Sequence, residues 1–303
     1  MWELIVAGAA AYKVPALVEA AVRSTGEKLF GPMLDSLAQP IKDRTQQRSK
    51  MSQALTDLAA RELGERPDIY RPAIDHLLHQ EGARIDRKVS TFGKALAKLP
   101  NGPQKDGSEA EHPADDWLNR WSRYVEDASS DDLQDAFASI LAGEITKKGS
   151  FSIATLRMVA ELSPQTAADF QSLWADVIGD YVVKYERYSR GRDWAQLLRL
   201  REAGLASTAD ASIHRAPASR LWRFGGLPGL SIEVDPDVYS EVPIINLTQI
   251  GRELGSILPV PNTEANLRRL ALECPDKRGW RSATLITDVG GSIVKHELLK
   301  FGT

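Results

Sequence analysis

From Asp115 to Phe170, large apolar residues recur at helical spacing, and this stretch constrains the fold more than any other. Trp117, Leu118, Trp121, Tyr124 and Val125 share one helical face. Ser129-Ser130-Asp131-Asp132 then supplies a capping hydroxyl and acids suited to a helix N-terminus, ahead of Leu133, Phe137, Ile140, Leu141, Glu144 and Ile145. Gly149 stops that helix. Ser152 caps the next, with Ile153, Leu156, Val159 and Leu162 inward. Ser163-Pro164 opens a further helix through Ala167, Phe170, Leu173, Trp174 and Val177. The spacing predicts one core of Trp117, Trp121, Phe137, Ile140 and Leu141 with Leu156 and Phe170.

The flanking regions differ in texture. Residues 1–99 form a helical N-terminal region, broken at Pro32 and Pro40. A short connection at Pro67 and Pro72 precedes a stripe of Ile74, Leu77, Leu78 and Ile85, then a helix through Val89, Phe92, Leu96 and Leu99. Residues 100–114, PNGPQKDGSEAEHPA, hold no large apolar residue and read as a linker. Residues 115–189 form a helical domain. Residues 190–303 change character. A helix from Trp194 ends at Gly204, and Leu221-Trp-Arg-Phe and Leu230-Ser-Ile-Glu-Val flank Gly225-Gly-Leu-Pro-Gly as a hairpin. Thr248 caps a helix, Leu267 to Leu272 gives another, and one or two strands close the region. The fold class expected is mainly α: a helical N-terminal region, a helical segment, and a C-terminal winged-helix-like α+β region.

Composition narrows the function classes. A net charge of −3 over 303 residues gives no global attraction to nucleic acid, so such a partner needs a local patch. The single cysteine, Cys274, excludes an internal disulfide, fits a reducing cytoplasmic location, and has acidic neighbours that disfavour a thiolate. Met1 to Val22 is apolar but interrupted by Glu3, Lys13, Pro15 and Glu19, which argues against a spanning helix. It reads as a packed helix or oligomer contact, with a membrane surface as the minor alternative.

Few constellations carry chemistry. His76 and His79 share a helical face, but two ligands do not make a zinc site. The acids Asp115, Asp116, Asp127, Asp131, Asp132 and Asp135 stand mostly at helix starts, where the helix dipole accounts for them. Glu144 differs. It lies in the apolar run Ile140-Leu-Ala-Gly-Glu-Ile and needs a partner, either an arginine or backbone N–H groups near Gly149 to Ser152. Gly225-Gly and Gly290-Gly lack phosphate-loop spacing and read as turns. No cofactor and no metal is implied.

One charge pattern stands out. Between Lys184 and Arg223 lie nine basic residues (Lys184, Arg187, Arg190, Arg192, Arg199, Arg201, Arg215, Arg220 and Arg223) against four acids (Glu186, Asp193, Glu202 and Asp210). Tyr181, Tyr185, Tyr188, Trp194 and Trp222 interleave with them. Arg192, Arg199, Arg201, Arg215, Arg220, Trp222 and Arg223 are the candidate contacts to nucleic acid or to a protein partner.

Several of these runs carry a resemblance: Asp116-Trp117-Leu118, Ser130-Asp131-Asp132-Leu133-Gln134, Ile140-Leu-Ala-Gly-Glu-Ile145, Gly149-Ser-Phe-Ser152 with Thr155-Leu156, and Leu162-Ser163 with Ala167-Ala168 and Phe170. The segment resembles the bacterial domain-of-unknown-function family 2806, well over residues 115–175 and more loosely over 190–260. Lys148 stands where the family's turn carries proline. Trp117, Trp121, Glu144, Gly149 and Ser152 read as its structural motif. The family brings no catalytic residues. A helical leader and the late element Leu247-Thr-Gln-Ile-Gly-Arg-Glu-Leu254 are also loosely similar to abortive-infection proteins, which implies a role in defence against phage.

The leading expectation is a non-enzymatic interaction or sensor protein in anti-phage defence. It would bind a protein partner or a second copy through the N-terminal helices. The alternatives are a nucleic-acid-binding protein using the basic region and a metal-dependent hydrolase using buried carboxylates.

Overall fold

The computed structural model describes residues 67–99, 113–215, 219–289 and 293–299. The readings of Met1 to Val22, of Gly290-Gly and of most of the linker lie outside these residues. The chain divides into two compact units between Ala160 and Glu161.

In the first unit, α1 (Pro67–Ala97) is one continuous helix. The connection expected at Pro67 and Pro72 is absent. Pro67 occupies the first helical position, where its missing N–H is not needed, and Pro72 still lies near the start. α2 (Asp115–Asp127) and α3 (Asp131–Thr146) both pack on α1, and α4 (Ile153–Glu161) follows the Gly149 turn. Ser130 caps α3 by accepting from the Leu133 N–H, whereas α2 has Ala114 at its N-cap position with no side-chain cap, and Asp115 and Asp116 in its first turn. Trp117, Trp121, Val125, Phe137, Ile140, Leu141, Leu156 and Val159 are buried. Trp121 Nε1 donates to the Phe137 carbonyl at 3.0 Å. The buried Trp121 indole N–H thus finds a backbone acceptor, which lets this tryptophan serve in a core.

In the second unit, α5 (Pro164–Trp174) starts on the Ser163 cap, which accepts from the Thr166 N–H. It ends at Trp174, so Val177, expected on this helix, instead begins a strand. Phe170 is buried here, with its ring 6.3 Å from that of Trp174.

Two antiparallel four-stranded sheets follow, so the expectation of a mainly α chain with a winged-helix-like end is overturned. The described region is 52% helix and 21% strand, an α+β mixture. The first sheet has the order β1-β2-β6-β3, from β1 (Val177–Ile178), β2 (Tyr181–Val183), β3 (Ala211–His214) and β6 (Glu241–Asn246). α6 (Gly191–Glu202) joins β2 to β3 after a short 3-10 turn at Glu186–Ser189. The second sheet has the order β4-β5-β7-β8, from β4 (Leu221–Gly225), β5 (Gly229–Val234), β7 (Trp280–Val289) and β8 (Ile293–Leu299).

The hairpin expected at Gly225 to Gly229 is present. It is not a wing beside a helical bundle. β5 continues into β7 and β8, and α8 (Thr263–Glu273) packs on that sheet through buried Leu267, Leu270 and Ala271.

α7 (Gln249–Gly255) explains the element Leu247 to Leu254. Thr248 Oγ1 accepts from the Gly251 N–H at 3.0 Å and donates to the Gly204 carbonyl at 2.6 Å. A Cβ on Gly251 would stand 2.2 Å from the Leu205 carbonyl oxygen, and one on Gly255 would stand 2.1 Å from the Trp174 ring. Both glycines are therefore demanded by close packing. No helix among the described residues is long and apolar enough to cross a membrane.

Candidate functional site

The motif around Glu144 is closed upon itself. Glu144 is buried, and its two carboxylate oxygens accept from the Gly149 N–H at 2.7 Å and the Phe151 N–H at 3.0 Å. Of the two partners considered, the backbone is the one taken. Gly149 adopts φ +80°, which turns its N–H toward that carboxylate. Trp117 Nε1 donates to the Phe151 carbonyl at 2.7 Å, and Ser152 Oγ accepts from the Thr155 N–H at the start of α4. A Cβ on Gly143 would meet the Phe151 ring at 2.6 Å. Trp117, Gly143, Glu144, Gly149, Phe151 and Ser152 thus form a lock that sets how the chain leaves α3 and enters α4. Each carboxylate oxygen is thus engaged by one backbone amide.

The basic stretch lies in the second unit, and its members divide sharply. Arg199 grips the fully buried Asp169, with Nε and Nη2 each 2.7 Å from Oδ2. Gln165 and Gln196 donate to the other oxygen at 3.0 Å each. These hydrogen bonds, led by the guanidinium, hold the Asp169 carboxyl below the usual carboxylate range. Arg201 and Lys184 both bind Asp210 at 3.0 Å and lower its pKa in the same way, with Lys184 the larger cause. Arg215 donates to the carbonyls of Ser219, Pro236 and Val238, tying the loops around the hairpin. Arg187 pairs with buried Asp176, which also accepts from Arg269 and from the Tyr188 hydroxyl at 2.6 Å. Burial lifts the Tyr188 phenol to about 12, so it remains a donor at neutral pH.

Arg192, Arg220 and Arg223 are different. All three are exposed, and their side chains have no ion-pair or hydrogen-bond partner among the described residues. Arg220 and Arg223 bracket the first residues of β4. Trp222 between them is buried and packs on Phe224, with centroids 4.9 Å apart, and edge-on against Trp280 at 6.4 Å. It anchors the strand from below and is not itself presented.

Sequence reasoning missed the Asp169 and Asp176 clamps. The argument that singled out Glu144, a carboxylate in an apolar run, would have found both: Asp169 lies between Ala168 and Phe170, and Asp176 precedes Val177-Ile178. His76 and His79 are exposed on α1, and Gln80 Nε2 lies 2.8 Å from His76 Nε2. Among the described residues, no group of three or more His, Cys, Asp and Glu side chains is placed to hold a metal ion.

No curated protein and no solved structure matches the chain. A family model does match, from the end of α1 through the Glu144 lock to the start of β1: residues 95–177 are similar to the family described as Protein of unknown function (DUF2806).

Proposed function

We propose that this chain is a non-enzymatic interaction protein that docks a protein partner through the β4 side of its second sheet. One observation carries the reading. Of the six arginines that would have gripped phosphates, Arg199, Arg201 and Arg215 already hold internal carboxylates or carbonyls, whereas the side chains of Arg220 and Arg223, beside exposed Leu221, have no ion-pair or hydrogen-bond partner among the described residues. A phosphate reaching Arg199 would have to displace a carboxylate held by three hydrogen bonds and an ion pair. An exposed Arg–Leu–Arg edge suits a protein surface better, because arginine is enriched where interfaces carry their energy.

The test is binding of labelled duplex DNA and single-stranded RNA by the full chain across a range of salt. The expected result is weak binding that Arg220→Ala with Arg223→Ala leaves unchanged. Tight binding with a steep salt slope, made shallower by the same pair of changes, refutes the reading.

The setting we propose is cytoplasmic anti-phage defence, supported only by the loose similarity to abortive-infection proteins. Equal phage plating on cells with and without the protein would remove it. Self-association through the N-terminal helices belongs to the same proposal. It rests on the apolar sequence Met1 to Val22, and a monomeric full chain in light scattering would exclude it.

A further inference from the structure

β4 is an edge strand: it pairs with β5 on one side, and no strand among the described residues pairs with the other. Its backbone register shows which groups face outward. The Val234 N–H donates to the Arg220 carbonyl at 2.9 Å, and Leu221 stands opposite Glu233. In an antiparallel ladder, alternate residues turn their N–H and C=O to the same neighbour. Arg220, Trp222 and Phe224 therefore bond toward β5, and Leu221, Arg223 and Gly225 point their backbone groups away from the sheet. Consistent with this, the Leu221 carbonyl accepts from Ser219 Oγ at 2.6 Å and not from β5. The side chains alternate too: Trp222 and Phe224 are buried, while Arg223 and Leu221, the latter 52% exposed, lie on the open face.

Building on the interaction reading, we infer that the β4 edge accepts an extended acidic segment of a partner protein as a fifth strand, with a carboxylate opposite Arg223 and an aliphatic side chain opposite Leu221. Strand addition supplies affinity through main-chain hydrogen bonds and specificity through alternate side chains. The charge on the edge selects the occupant. A second copy is a poor one. Two-fold antiparallel pairing of the five-residue strand with itself sets Arg223 against Arg223, Leu221 or Gly225, and none of these is an anion. Like charges directly opposite are destabilising, and opposite charges stabilise. The inward face of the strand is already fixed by buried Trp222 and Phe224, with Trp222 edge-on against Trp280 of β7.

The experiment uses the full chain with a synthetic capped peptide, Thr-Val-Thr-Glu-Thr-Val-Thr, and its lysine-centred counterpart. Binding is followed by anisotropy, and amide hydrogen exchange is read residue by residue. The glutamate peptide should bind about fivefold more tightly than the lysine peptide. Exchange should slow at the outward amides of Leu221, Arg223 and Gly225, while Trp222 and Phe224, already bonded to β5, gain nothing. Arg223→Glu should reverse the peptide preference, and Arg223→Pro should abolish binding of both by removing an outward N–H. If the proline variant does not fold, the reversal by Arg223→Glu decides alone.

Equal binding of the two peptides, no binding, or binding without protection at those amides overturns the strand-addition proposal and leaves the broader interaction reading standing. Protection that grows with protein concentration in the absence of peptide assigns the edge to a second copy and overturns it as well. Protection by duplex DNA at low salt overturns both.

Discussion

Gly251→Ala is a substitution for which two physical arguments give opposite signs. Gly251 lies inside helix α7, and on intrinsic propensity alone alanine should stabilise by about 1 kcal/mol. Packing predicts the reverse. The added Cβ would stand 2.2 Å from the Leu205 carbonyl oxygen, where even a weak carbon–oxygen contact needs about 3.3 Å. That oxygen belongs to backbone and cannot rotate aside, so α7 must retreat by about 1 Å. The retreat breaks the Thr248 N–H bond to Leu205 O at 3.1 Å and the single Thr248 hydroxyl bond, shared between Gly204 O at 2.6 Å and Leu205 O at 3.2 Å. At roughly 0.5–1.5 kcal/mol each, with some repacking strain and less the propensity gain, the net cost is about 2–4 kcal/mol. Native-state hydrogen exchange over β6 and α7 measures this without averaging over the two units. Gly143→Ala is the internal comparison. Its Cβ meets only the end of the Phe151 ring at 2.6 Å, and a side chain can yield, so its cost should be about 1 kcal/mol. A Gly251→Ala protein as stable as the wild type, or more so, would refute the packing argument.

Three further outcomes follow from the same structure. Phe137→Ala, at a fully buried site, should lower stability by about 3–5 kcal/mol in urea denaturation, and an unchanged midpoint would remove Phe137 from the core. Asp169 has a folded pKa below its ordinary 3.8, so its clamp with Arg199 contributes stability that is complete above about pH 5 and is lost as pH falls through the folded value; melting curves from neutral to strongly acid pH should flatten at the acid end in Asp169→Asn, and identical profiles would dismiss the clamp. The Cys274 thiol is pushed up to about 11, chiefly by burial, so alkylation at pH 8 should be slow in the native protein and fast in denaturant, with rapid native labelling the refuting result.

What the sequence disclosed and what it concealed divide along the range of the interactions. Helix starts at Ser130, Ser163 and Thr248 were legible because a cap and the N–H it accepts from lie three residues apart. The β4–β5 hairpin was legible for the same reason, its turn being local. Val177 was misassigned because its apolar side chain also fits the helical stripe before it. Only the pairing of β2 with β6, more than sixty residues on, makes that region a sheet. Ala211–His214 shows no strand pattern of its own, with side chains half-buried to exposed, and depends wholly on β6. Arginine fates are long-range too. Arg199 meets Asp169 across 30 residues and Arg269 meets Asp176 across 93, so sequence displayed the charges without showing which were already neutralised.

The insertion of β4 and β5 between the adjacent strands β3 and β6 has a consequence for how the protein is made. Leu230 of β5 pairs with Leu285 of β7, so the hairpin leaves the ribosome well before the strand that completes its sheet. An isolated two-stranded hairpin is at best marginal in water. A nascent chain that has reached only Glu273 therefore carries Trp222 without Trp280 against its edge, and Ile232 without its β7 neighbour Ala283. Synthesis imposes an interval of apolar exposure here that equilibrium stability cannot shorten, because its length is set by translation speed. Rare codons between Glu273 and Trp280 would lengthen it, and with it the demand on chaperones.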